Sequence, residues 1–129
     1  MTSFMGKYDA QTYAVLRIVS GFLFVCHGSQ KLFGFPGNAP GEMPAMVMYI
    51  AGPIELIGGL MIMIGLLTRQ AAFLSSGLMA AAYWMAHGTK ALLPIMNHGE
   101  LATIYCFVFL FIASHGSGIW SVDASRSEP

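Results

Sequence analysis

Apolar residues run along this chain in four blocks, each closed by a short cluster of turn-forming or charged residues. The blocks predict helices over about 13–33, 46–67, 71–93 and 100–120. Each is about 20 residues long, the length a helix needs to cross roughly 30 Å of hydrocarbon. Membrane-barrel strands would alternate in character and end after about 10 residues, which these blocks do not do. A first block that starts late and runs long, with no small-residue cleavage site after it, is expected to be retained rather than removed as a signal.

The predicted connections are short. Gly34-Phe-Pro-Gly-Asn-Ala-Pro-Gly41 is rich in turn formers, Leu67-Thr-Arg-Gln70 is tight, and Pro94-Ile-Met-Asn-His-Gly99 is brief. Short links make sequential helices antiparallel neighbours. The expected fold is all-α: a transmembrane up-down-up-down four-helix bundle forming one integral membrane domain over 1–129, without an internal repeat.

Composition sharpens this picture. Twelve of the 129 residues are charged, 9%, against 56% hydrophobic. A water-soluble domain devotes about a quarter of its residues to charge, so the expected surroundings are a lipid bilayer. Six basic and six acidic residues leave no cationic excess, which argues against a nucleic-acid partner, and two cysteines define no disulfide framework. Lys7, Arg17, Arg69 and Arg126 fall on the side of the termini, and Lys31 and Lys90 on the other. That bias places both termini in the cytoplasm.

Small residues populate the helices, among them Gly21, Gly28, Gly52, Gly58, Gly59 and Gly77. Membrane helices associate mainly through close van der Waals contact, which such residues permit. The ten methionines read as flexible filler of the same interfaces. Pro53 removes a backbone donor inside the second helix, which predicts a kink beside Glu55.

The ionisable groups are not scattered at random. Arg17 and Lys31, near the ends of the first helix, are placed to snorkel toward the interfaces. Glu55 has no such escape, lying about 14 Å from the outer end of its helix at 1.5 Å per residue. His27 and His87 lie about 9 and 8 Å deep on the same count. His27, Gln30 and Lys31 share a helical face by their spacing, as do His87 and Lys90. A carboxylate in hydrocarbon must be protonated, paired or hydrated, and an intramembrane ionisable residue is a functional candidate. The candidate catalytic set is therefore Glu55, His27 and Lys31. The candidate cofactor-binding set is His27, Gln30, Lys31, Glu55, His87 and Glu100, with no metal ligand set. His27 and His87 at matching depth also suggest the axial pair of a haem, and Cys26 and Cys106 a redox disulfide, both lesser readings. At the inner side, Asp123 with Arg17 or Arg69 is expected to form an ionic clamp.

The stretch Leu16-Arg-Ile-Val-Ser-Gly-Phe-Leu-Phe-Val-Cys-His-Gly-Ser-Gln-Lys-Leu-Phe-Gly34 resembles the opening of the DoxX family of small four-helix membrane proteins. Gly52-Pro-Ile-Glu-Leu-Ile-Gly-Gly59 resembles the family's glutamate-bearing second helix, and Thr68-Arg69 its inner turn. Asn97-His-Gly-Glu-Leu101 and Gly116-Ser-Gly-Ile-Trp-Ser-Val-Asp123 complete the likeness, which runs over about 13–123. The resemblance implies a bacterial inner-membrane protein. It also implies a link to redox assemblies, thiosulfate:quinone oxidoreduction among them, and it adds no haem motif.

The leading expectation is a redox-associated subunit that binds a quinone or similar amphipathic molecule in an outer-half polar cavity. A quinone needs a donor at each carbonyl and a proton route, and His27 or His87, Lys31 and Glu55 supply them. With no evident flavin or iron–sulfur motif, electrons would come from a partner subunit. The alternatives are a non-enzymatic structural or assembly subunit, and a small carrier or proton-linked permeation unit built as a homo-oligomer. A cavity lined by Glu55 and His27 favours the first, and paired side chains in filled space favour the structural reading.

Overall fold

The computed structural model describes residues 3–39, 41 and 44–126. Pro40 of the expected first loop and Met43 of the methionine series lie outside them. The described residues are all-α, with no strand. Helix α1 spans Asp9–Phe33, α2 Ala45–Ile64, α3 Thr68–Ala86, α4 Pro94–Asn97, α5 Glu100–His115 and α6 Val122–Ser125.

The ends of the helices follow local chemistry. Gly34 takes a left-handed conformation after α1, and its N–H returns to the Gln30 carbonyl. Gly65 does the same after α2, with Leu66 N–H bonded to Met61 O at 2.8 Å. Helix α2 therefore stops at Ile64 rather than at 67. Helix α3 stops at Ala86 instead of reaching 93, because the chain turns at His87 and folds back through α4. The Asn97 side chain ties that excursion down, donating to the Tyr83 hydroxyl and the Ala91 carbonyl. Helix α5 ends at His115, five residues before the expected 120, where Gly116 adopts φ 98°.

Two of these helices are long and apolar enough to cross a membrane: Gly6–Phe33, counting the 3-10 turn that leads into α1, and Ala45–Ile64. Helix α5 is apolar but only 16 residues long. Of the four expected spans, α1 and α2 have the length and apolar character that a crossing requires.

Helices α1 and α2 form one antiparallel pair and α3 and α5 another, with α2 against α3 joining them and α1 meeting α5 through aromatic side chains rather than close backbones. Gly21 and Gly28 on α1 face Gly59 and Gly52 on α2. A Cβ on Gly21 would stand 2.7 Å from the Gly59 carbonyl, and one on Gly28 2.8 Å from that of Gly52. The two pairs close over Phe24, Ile62, Phe109 and Ile112, all fully buried.

The surface is far more apolar than that of a soluble protein, and several polar side chains are buried. Arg17, Glu55, Ser75 and Asn97 are buried, while Val19, Phe22, Ile57, Phe73 and Phe107 are exposed. Outward-facing hydrocarbon of this extent marks a surface that meets lipid or a partner protein rather than water.

Candidate functional site

Two cavities lie at opposite ends of the molecule. The end that carries both termini holds one of about 570 Å³, lined by residues that include Arg69, His115 and Asp123. The charges there do not form the expected clamp. Arg17 is completely buried and does not snorkel. Its guanidinium donates to the carbonyls of Ile62 (3.0 Å), Ile119 (3.0 Å), Trp120 (2.7 Å) and Ser117. Arg69 donates to the carbonyls of Ala113 and Ser114 at the end of α5. Asp123 instead accepts from the N–H groups of Leu67 and Thr68, both at 2.9 Å, and from the Thr68 hydroxyl.

The reason is electrostatic. Helix C-termini carry unpaired carbonyls and partial negative charge, and N-termini the reverse. Asp123 meets the N-terminus of α3, Arg69 the C-terminus of α5, and Arg17 the C-terminus of α2 together with carbonyls of the segment after α5. Burial opposes the charged form of Asp123, but the bonds from Thr68 and Leu67 and the nearby Arg126 outweigh it and hold the carboxyl below its ordinary range. This carboxylate also keeps Leu67 at φ 47°, a left-handed conformation that costs a non-glycine residue about 1 kcal/mol.

Asp123→Ala is expected to lower stability by about 1 kcal/mol, the usual worth of a helix N-cap. Because the folded pKa is depressed, that stabilisation is present above the ordinary aspartate value of about 4 and fades as pH falls through the folded one. Thermal unfolding of both proteins in detergent at a series of pH values should show the difference closing only at acid pH. A gap that does not change with pH would exclude this origin.

The second cavity, of about 590 Å³, occupies the opposite half and is walled mainly by apolar groups from α1, α2, α3 and α5. Glu55, only 2% exposed, contributes from α2, and Lys31 from α1 pairs with it at 2.8 Å. His27 lies one turn deeper on α1 and lines the same space. His87 enters from the end of α3 and Lys90 from the turn beyond it. The His87 Nδ1 is 3.0 Å from the Asn97 carbonyl, an acceptor only, so Nδ1–H donates and Nε2 is left to face the cavity side.

The structure thus brings together Glu55, Lys31, His27 and His87 of the expected set. It does not bring Gln30, which lines a separate cleft beside Asn38 and Gly41. Adjacent helical residues point about 100° apart, and the cavity takes the 27–31 stripe. Glu100 also stands apart, exposed at the first turn of α5 and not part of the lining. Its carboxylate suits that helix N-terminus, where negative charge is favoured.

Sequence reasoning missed Tyr105. It lines the cavity from α5, and its ring meets His27 edge-on, centroids 5.8 Å apart. The available signal was a phenol in an otherwise hydrocarbon run, Leu101 to Ile112, with only Thr103 and Cys106 for polar company. Cys26 and Cys106 are free thiols. Among the described residues no three histidine, cysteine or acidic side chains gather as a metal site.

The DoxX family profile matches residues 12–88, a stretch that includes His27, Lys31, Glu55 and His87. An uncharacterized protein of Haemophilus influenzae is 38% identical over 123 residues, covering 91% of this chain and 92% of its own. A Bacillus subtilis protein named "Putative oxidoreductase CatD" is 28% identical, over 84% of this chain and 82% of its own. The "Inner membrane protein YqjF" of Escherichia coli is 30% identical over 92% and 95% of the two chains. No solved structure matches significantly.

Proposed function

The chain belongs to the DoxX family of membrane proteins, and we propose that it is a redox-associated subunit of a bacterial inner-membrane complex that binds a quinone. In this reading all four long helices cross the bilayer, the termini are cytoplasmic, and the Glu55 cavity lies in the outer half. The observation that carries it is the cavity itself. About 590 Å³ falls within the range of small-molecule sites, and its apolar walls converge on a few ionisable groups near the middle of α2.

The chemistry follows from those groups. His27 and Lys31 hold a carbonyl oxygen of the ring, and Glu55 relays protons between the ring oxygens and the cavity mouth, where His87 and Lys90 stand. Quinone takes up two electrons and two protons to become quinol. The electrons come from a redox partner subunit, and this chain supplies the binding and the proton route. The inner-membrane and oxidoreductase names of two relatives are in keeping with this assignment.

A structural or assembly role is the second reading, favoured by the closed Lys31–Glu55 pair. Purification with native lipids, followed by extraction and identification of bound molecules, separates the two. Wild type is expected to carry near-stoichiometric quinone, and Glu55→Gln and His27→Ala several-fold less. Wild type without quinone, or both variants with a full complement, would sink the quinone reading. Loss of complex assembly in the variants with no bound molecule in any sample would favour the structural one.

A further inference from the structure

A buried phenol normally finds a hydrogen-bond partner. Tyr13 donates to the Gly116 carbonyl, and the Tyr83 hydroxyl accepts from Asn97. Tyr105 is only 6% exposed, yet its hydroxyl makes no hydrogen bond among the described residues. Nor is that oxygen sealed in, since the sealed and unpartnered side-chain polar atom among the described residues is Ser75 Oγ. Tyr105 lines the Glu55 cavity, so its unpaired hydroxyl is available there.

The ring is held firmly. It stacks on Phe109, centroids 5.3 Å apart and planes within 11°, and leans on Phe24 at 5.3 Å. His27 stands against it edge-on, at 88°. The His27 ring nitrogens also have no hydrogen-bond partner among the described residues. Beside these two rings, Lys31 and Glu55 are closed on each other at 2.8 Å. The deep end of the cavity therefore offers unpaired polar groups and aromatic faces, and its one lysine is paired with a carboxylate. Lys90 is exposed and sits on the turn beyond α3, at the shallow end.

We infer that Tyr105 is the hydrogen-bond donor that seats the ligand's oxygen at the deep end of the cavity, and that the site selects an electrically neutral, planar carbonyl compound over an anionic amphiphile. A neutral carbonyl needs only a donor and a face to lie against. An anion taken to that depth would need a countercharge, and the charge of Lys31 is already balanced by Glu55, whereas the remaining N–H groups of Lys31 can still donate to a neutral carbonyl. The inference rests on the cavity being a ligand site, and it names the residue and the ligand charge that the quinone reading leaves open.

Equilibrium dialysis of the full-length protein in detergent tests it, with a decyl-substituted benzoquinone and dodecanoate as probes. Wild type is expected to bind the quinone at least about tenfold more tightly than dodecanoate. Tyr105→Phe keeps the ring stack and is expected to weaken quinone binding about tenfold, the worth of one good hydrogen bond to the ligand. Tyr13→Phe, at the opposite end, is expected to leave quinone affinity unchanged. In wild type the carbonyl stretch of bound quinone should lie below its free value in the infrared, a readout that does not depend on the variant folding. Quinone binding that is equal in wild type and Tyr105→Phe, or an unshifted carbonyl stretch, overturns the assignment of Tyr105 and leaves the cavity reading standing. Dodecanoate binding as tightly as quinone overturns the charge selection. Wild type that binds neither probe overturns the inference together with the reading beneath it.

Discussion

Arg17→Met is expected to destabilise the protein by roughly 4 kcal/mol, about 1 kcal/mol for each of the four carbonyls the guanidinium serves. Methionine keeps the length and the apolar stem, so the substitution isolates the donors. The carbonyls belong to Ile62 at the end of α2 and to Ser117, Ile119 and Trp120 in the segment after α5. One side chain thus fastens the end of α2 to the chain's return path beneath the bundle. Without it three part-buried carbonyls lose their donor, and the buried Ile62 carbonyl keeps only the Gly65 N–H. Lysine should rescue only in part, because a point charge cannot reach four acceptors in the planar fork that arginine presents. Arg69→Met is the natural comparison. Arg69 serves exposed carbonyls, where water replaces it, and the expected loss is about 1 kcal/mol. Reversible unfolding in mixed micelles, followed by circular dichroism, measures all three. Equal losses for Arg17→Met and Arg69→Met would show that burial is not the source of the effect.

Gly28→Leu is expected to prevent α1 and α2 from docking, and Gly28→Ala to cost about 2 kcal/mol. The added carbon of alanine would fall 2.8 Å from the Gly52 carbonyl and equally close to the Leu56 Cα, both on the backbone of α2. A side chain can rotate away from such a contact, but a helix backbone moves only as a whole. Between membrane helices, that loss of contact is not repaid by apolar burial, since lipid tails are as apolar as leucine. The consequence extends to the cavity. Lys31 stands on α1 and Glu55 on α2, so separating the helices breaks their pair and opens the wall between them. Gly77→Ala is the contrasting case, because a Cβ there meets nothing within 4 Å. It should be neutral or stabilising by up to about 1 kcal/mol through helix propensity. Thermal unfolding of the two alanine variants should therefore move in opposite directions. Equal destabilisation by both would mean that close approach along the α1–α2 seam is not what Gly28 provides.

The physical basis of what could be read in advance is uneven. Helix existence and solvent followed from long apolar blocks and scarce charge, because both depend on local composition. Helix ends were less legible. Gly65 and Gly116 mark real stops, but the fold-back after Ala86 depends on Asn97 reaching Tyr83 and Ala91, contacts that no window of sequence contains. The cavity group was half visible. Glu55, His27, Lys31 and His87 stood out as ionisable residues at similar depth. Gln30 had the spacing but faces another cleft, and Glu100, expected at the start of the fourth helix, stands there exposed and outside the lining. Tyr105 passed unnoticed because a tyrosine among phenylalanines reads as core, and its unpaired hydroxyl emerges only when its neighbours are known.

Sequence alone determined that this chain lives in lipid, is helical, resembles the DoxX family, and carries a carboxylate where hydrocarbon should be. The first two come from composition and period, which are additive along the chain, and the resemblance rests on the ordered motifs from Leu16 to Asp123. Tertiary structure alone decided which charges meet. The expected Asp123–arginine clamp gave way to charges placed on helix ends, and Glu55 took Lys31 as its partner across the α1–α2 seam. Such choices depend on distances between segments far apart in the chain, and on competition between side-chain charges and the dipoles of helix termini. Neither is encoded locally.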